Sequence, residues 1–178
     1  MCRLLLIALA VALAGCGDDP KSAGPVTGEA PAGASPPLVE IYDQSNELLP
    51  GGPDAFKERL AELKGSPVVV NKWASWCGPC REEFPYFQRQ ARERGGKVAF
   101  LGVNSGDNDG AAKKFLDQYP VPFPSYLDGD VTVAKEFEGA LAWPTTAFYD
   151  SKGKLANVHQ GVYEDEAALA ADIERYAR

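Results

Sequence analysis

Basic charge, histidine and long apolar runs are all in short supply in this chain of 178 residues. Eighteen Lys and Arg face 25 Asp and Glu, a formal charge of -7, so the surrounding field repels polyphosphate and argues against nucleic acid as a partner. One histidine and four cysteines leave few ligands for a metal site. The cysteines, at positions 2, 16, 77 and 80, are too few to staple a miniprotein. An apolar run at residues 4–13 is about half of what a helix needs to cross a hydrocarbon core of roughly 30 Å, which excludes a spanning helix there. The length suits one globular domain and excludes a large multidomain enzyme.

What the N-terminus does hold is a single cation, Arg3, then that apolar core, then small residues, the layout of a secretory signal peptide. Leu13-Ala14-Gly15-Cys16 resembles a bacterial lipobox, which implies cleavage before Cys16 and lipid attachment to its sulfur. Residues 1–15 are then the signal, and Cys2 leaves with it. Losing Arg3 as well takes the formal charge from -7 to -8, so attachment would depend on acyl chains rather than on attraction to anionic lipid. Residues 16–37, rich in Gly, Pro, Ala and Ser, have no apolar periodicity and read as a linker with a reach of about 25 Å. The folded domain is expected over residues 38–178, outside the cytoplasm, where disulfides persist.

Within that domain, residues 38–42 resemble a short first strand. Phe56, Leu60 and Leu63 at helical spacing, with Pro53 at the start and Gly65 past the end, predict a helix over 53–64. Pro67 opens VVVNKWA, a β-branched run that reads as a buried strand, and Cys77 starts a helix to Arg94, in which Pro85 should introduce a kink. A second strand at 98–103, a helix capped by Asp109 and running to about Tyr119, a strand-like segment at Tyr126-Leu127 and a short helix at 131–137 follow. Strands at 145–150 and 154–160 flank the turn Ser151-Lys152-Gly153, and a closing helix at 164–177 directs Ala168, Leu169, Ile173 and Tyr176 inward. Strands alternating with helices indicate an α/β sandwich with parallel pairs and a final antiparallel hairpin.

Trp76-Cys77-Gly78-Pro79-Cys80 falls between a strand and a helix start. Cysteines three apart in a first helical turn share one face within bonding reach. Cys77 at the very end meets free backbone N–H groups and the positive end of the helix dipole, which stabilise its thiolate and make it the nucleophile. Cys80, a turn deeper, resolves the mixed disulfide, so the pair performs two-electron thiol-disulfide exchange without a cofactor. A zinc site needs further ligands that one histidine cannot supply, so no metal is expected. A structural disulfide closing so small a loop would remove little unfolded-state entropy. For a peroxidatic cysteine, Val70 and Ala74 stand where Pro and Thr are needed.

VVVNKWASWCGPC, REEFPYF and WPTT together resemble the TlpA/ResA-like branch of the thioredoxin superfamily, membrane-tethered thiol-disulfide oxidoreductases, over nearly all of residues 53–178. The later half also has a redoxin flavour. The resemblance implies a thioredoxin-like three-layer α/β/α sandwich with a mixed central sheet. It implies that Pro144 is cis, facing the cysteine pair and leaving the backbone of Trp143 free for a substrate strand. Trp76, Gly78, Pro79, Trp143, Pro144 and Thr145 would then form the substrate-binding surface. Thioredoxins proper carry a buried Asp two residues before the strand's tryptophan, where this chain has Asn71, which cannot titrate. Glu83, three residues after Cys80, matches the cleft glutamate of ResA-like proteins and is expected to have a raised pKa and to exchange protons with the Cys80 thiol; the alternative is a solvated carboxylate like Glu82. Lys72 departs from the family's apolar preference and must snorkel or find a carboxylate. His159, on a late hairpin strand, reads as surface or structural, and Trp73 and Phe84 as packing.

The resemblance implies a monomeric enzyme that reduces protein disulfides, for example those of apocytochrome c, with electrons from a membrane thiol-relay reductase. An oxidase or isomerase of secreted proteins, a thiol peroxidase and a non-catalytic binding lipoprotein stand as alternatives.

Overall fold

The computed structural model describes residues 29–178, so the signal segment, Cys16 and the linker up to residue 28 lie outside the described residues. The first element is a helix, α1 (Pro36–Asp43), and not the expected strand at 38–42. Leu38, Ile41 and Tyr42 fall on one helical face and are buried, while Pro36 and Pro37 occupy first-turn positions where a missing N–H costs nothing. Tyr42 Oη donates to the carbonyl of Ala91, 2.5 Å away. That approach requires Gly95, since a Cβ there would lie 1.7 Å from the Tyr42 hydroxyl.

The edge strand β1 (Leu48–Leu49) precedes α2 (Gly52–Glu62), and β2 (Val68–Trp73) runs into α3 (Gly78–Arg94). Then come β3 (Ala99–Ser105), α4 (Asp109–Gln118), β4 (Ser125–Asp128), a 3-10 turn at Ala134–Phe137, the hairpin β5 (Thr145–Tyr149) and β6 (Leu155–Gln160), and α5 (Glu166–Tyr176). The helix α3 continues through Pro85. Asn108, not Asp109, caps α4: its extended backbone lets its carboxamide oxygen accept from Ala111 N at 3.0 Å, and Asp109 is already the first helical residue. In α5, Asp165 accepts from Ala168 N at 2.8 Å; Leu169 and Ile173 face the core, whereas Ala168 is exposed rather than inward.

The six strands form one mixed sheet in the order β1-β4-β3-β2-β5-β6. Pairs from β1 to β2 are parallel, and β5 joins β2 antiparallel before returning as β6. Both β2 and β3 are buried along their whole length, as strands covered on two faces must be. Alternation along β2 sends Lys72 to one face and Asn71 and Trp73 to the other. On the first face Phe56 of α2 meets Tyr126 and Phe137. On the second, Trp73 packs on Phe84 and Phe115, and Phe148 on Tyr176. Helices on both faces of a mixed sheet make this the thioredoxin-like α/β/α sandwich.

Candidate active site

Cys77 occupies the cap position of α3 in an extended conformation, and its Sγ accepts from Cys80 N at 3.1 Å. The two sulfurs are joined as a disulfide with their Cα atoms 5.3 Å apart. Cys77 retains 4% exposure and Cys80 none, so of the two residues only Cys77 reaches the surface. In the dithiol form the same N–H and the helix dipole would favour a thiolate on Cys77.

One turn beyond Cys80, Glu83 is fully buried on the same helix. Asn71 Nδ2 donates to its Oε1 at 2.8 Å and Tyr163 N to its Oε2 at 3.3 Å. Burial pushes the Glu83 carboxyl up to about 8 even though both hydrogen bonds favour its charged form. The solvated alternative therefore fails: Glu83 is buried and its carboxyl is held well above the usual carboxylate range.

The Trp143–Pro144 peptide is cis, as the family resemblance implied. Trp143 Nε1 donates to Ser105 O at 3.0 Å, Trp76 Nε1 donates to Gly106 O at 2.9 Å, and the two rings lie 5.5 Å apart. This brings the residues before β5 alongside the cysteine pair. Trp76 is 58% exposed, and Gly78 and Pro79 are also exposed. Thr145 is placed differently: it is fully buried and its hydroxyl donates inward to Ala142 O at 2.8 Å, so its side chain holds the loop instead of facing outward.

Lys72 does not snorkel, and the Asp128 carboxylate bears on it only through its field, its direct partners being carbonyls and a ring. It has no exposure, and its Nζ donates to Gly139 O at 2.5 Å and Ala142 O at 2.9 Å while lying 3.3 Å from the centre of the Trp143 ring. Burial pushes its pKa down to about 8, with Asp128 acting in the opposite direction. His159 is stacked on Tyr163 with ring centres 4.0 Å apart, at the outer strand of the sheet.

Two positions escaped the sequence reading. Asp107 accepts from Ser75 N at 2.6 Å, Ser75 Oγ at 2.9 Å, Asn104 Nδ2 at 2.9 Å and Asn108 N at 2.9 Å, fixing the segment that leads into Trp76. Burial alone would raise the Asp107 carboxyl, but these bonds outweigh it and hold the group below its usual range. Asp128 gathers the N–H groups of Thr132, Val133 and Ala134 and the Ser105 hydroxyl. The Asn, Asp and Gly residues after β3 and β4 were the available signal. Among the described residues no cluster of three His, Cys, Asp or Glu is arranged to hold a metal ion, and no helix is long and apolar enough to cross a membrane.

Comparison with known proteins places this geometry. Thiol-disulfide oxidoreductase ResA of Bacillus subtilis is 36% identical over 103 residues, which span 57% of this chain and 57% of that protein's length. The structure of MTB DsbF, in mixed oxidised and reduced forms, superposes with a TM-score of 0.59 at 31% identity, covering 64% of this chain and 83% of the other. The exposed lipoprotein thioredoxin Etrx1 of Streptococcus pneumoniae gives a TM-score of 0.55 at 25% identity, covering 65% and 89%. The Redoxin family model matches residues 44–173, and with that span and these relatives the chain belongs to the Redoxin family, in its ResA-like, thioredoxin-fold branch.

Proposed function

We propose that the chain is a lipid-anchored, extracytoplasmic thiol-disulfide oxidoreductase that reduces disulfides in protein substrates. The observation that carries this reading is the Cys77–Cys80 disulfide at the start of α3, with the buried Glu83 one turn behind it. In the reducing direction the Cys77 thiolate attacks one sulfur of a substrate disulfide. A Cys77–substrate bond forms, the substrate's own S–S bond breaks, and its other sulfur leaves as a thiolate. The Glu83 carboxylate takes the proton of the Cys80 thiol. The Cys80 sulfur then attacks Cys77, forming the intramolecular disulfide and expelling the second substrate thiolate, to which the proton passes on. Two electrons have moved to the substrate, whose first thiolate takes its proton from water, and the protein is left oxidised.

Trp76, Gly78, Pro79 and Trp143 are the surface for an extended substrate segment, with the buried Pro144 and Thr145 shaping it from within. A membrane thiol-relay reductase would restore the dithiol, and Cys16 would carry the lipid that keeps the monomer at that membrane. Apocytochrome c, whose haem-binding cysteines must be reduced, is the substrate the family resemblance favours. The lipoprotein Etrx1 offers a precedent for the anchor.

Trapping the thiol state of Cys77 and Cys80 in living cells tests the direction. Mostly dithiol protein is expected of a reductase. Mostly disulfide, with a midpoint potential near about -120 mV, would replace this reading with an oxidase.

A further inference from the structure

We infer that Lys72 is a positioning residue for the substrate-facing loop, its buried ammonium pinning residues 139–143 from beneath and so setting how tightly a substrate segment is held. This rests on the oxidoreductase reading above and adds to it a residue that carries no sulfur or proton chemistry.

A lysine in the middle of a covered strand is costly, because an unpaired charge loses its hydration. Here the side chain has no exposure and so does not snorkel. An ammonium has three N–H donors. Two are accounted for by the carbonyls of Gly139 and Ala142, at 2.5 and 2.9 Å, and the third direction is filled by the face of Trp143, 3.3 Å from Nζ. All three partners belong to one short loop, 67 to 71 positions along the chain from Lys72, and that loop ends at the cis-peptide to Pro144.

The loop's far side is the site. Trp143 is held between the Lys72 ammonium and Trp76, the neighbour of Cys77, and its indole N–H is anchored to Ser105. Gly106 completes the slot, since a Cβ there would sit 3.3 Å from Cζ2 of Trp143. Lys72 thus reaches the surface beside the cysteines through a single ring. Consecutive residues of β2 divide the labour between the sheet's faces: Asn71 grips the Glu83 carboxylate on one, and Lys72 holds the recognition loop on the other.

The test uses the folded domain with an oxidised two-cysteine peptide as substrate. Lys72→Met keeps the stem and removes the ammonium; KM should rise about tenfold, the scale of a lost charge-assisted hydrogen bond, with kcat changed by less than about twofold. In a Trp143→Leu background the same substitution should raise KM less than about threefold, because its route to the site is gone. An unchanged KM in Lys72→Met, or an equal effect in both backgrounds, overturns the inference. Should Lys72→Met not fold, the unsubstituted lysine answers instead. In Cys80→Ser protein its ammonium protons should be shielded by the Trp143 ring and protected from exchange, and should shift when a cysteine peptide is coupled chemically to Cys77. Absence of that shift overturns the inference. If the unsubstituted protein fails to turn over the peptide disulfide, the oxidoreductase reading falls, while the resonance experiment, which needs no turnover, still decides for or against Lys72.

Discussion

Asn71 donates its side-chain N–H to the buried carboxylate of Glu83 at 2.8 Å, so an amide that cannot titrate sits where it tunes a carboxyl that can. Thioredoxins proper use a titrating residue at the Asn71 position; here the buried carboxyl stands on the helix that carries the cysteines. Burial drives Glu83 upward and Asn71 with Tyr163 N–H restrain it, leaving it at about 8.

Replacing Glu83 by Gln, which mimics the protonated carboxyl, should therefore remove the rise of the exchange rate near pH 8 and leave the rate above that pH at the low level seen below it. Stability gives a second readout. The folded pKa of about 8 lies above the unfolded 4.5, so the folded protein holds the extra proton between these values and stability falls as pH rises through that window. The difference between wild type and Glu83→Gln in urea unfolding should change with a slope of up to about 1.4 kcal/mol per pH unit there and be flat outside it.

Asn71→Ala should move the same kinetic step upward. Without its donor the ionised carboxylate loses a charge-assisted hydrogen bond, and the midpoint of the rate profile should rise by about one pH unit. A midpoint that stays in place would assign the restraint to Tyr163 alone.

Asp107→Ala should loosen the approach to Trp76 and Cys77. Four hydrogen bonds converge on this half-buried carboxylate, and its loss should cost about 1–3 kcal/mol in urea unfolding, together with slower exchange.

Much of this was legible in sequence because it is governed by neighbours in the chain. The strand VVVNKW, the cysteine pair at a helix start and the placement of Glu83 on the cysteine face follow from composition and three-residue spacing. The cap of α4 at Asn108 instead of Asp109 turned on a backbone conformation that both residue types accept. The segment at 38–42 was misread because five residues with four apolar positions, Leu38, Val39, Ile41 and Tyr42, fit either period, and only contact with Ala91, 49 positions away, shows Tyr42 facing the core. Lys72 was undecidable for the same reason: its partners are carbonyls and a ring that become neighbours only once β5 pairs with β2.

The most direct measurement is the mass of the covalent adduct formed when reduced protein meets an oxidised two-cysteine peptide. Thiol exchange led by Cys77 and resolved by Cys80 predicts that Cys80→Ser accumulates one peptide per chain, attached at Cys77, and that Cys77→Ser accumulates none. Adduct on Cys80 in the Cys77→Ser protein, or no adduct in either variant, would contradict the assignment of nucleophile and resolving cysteine.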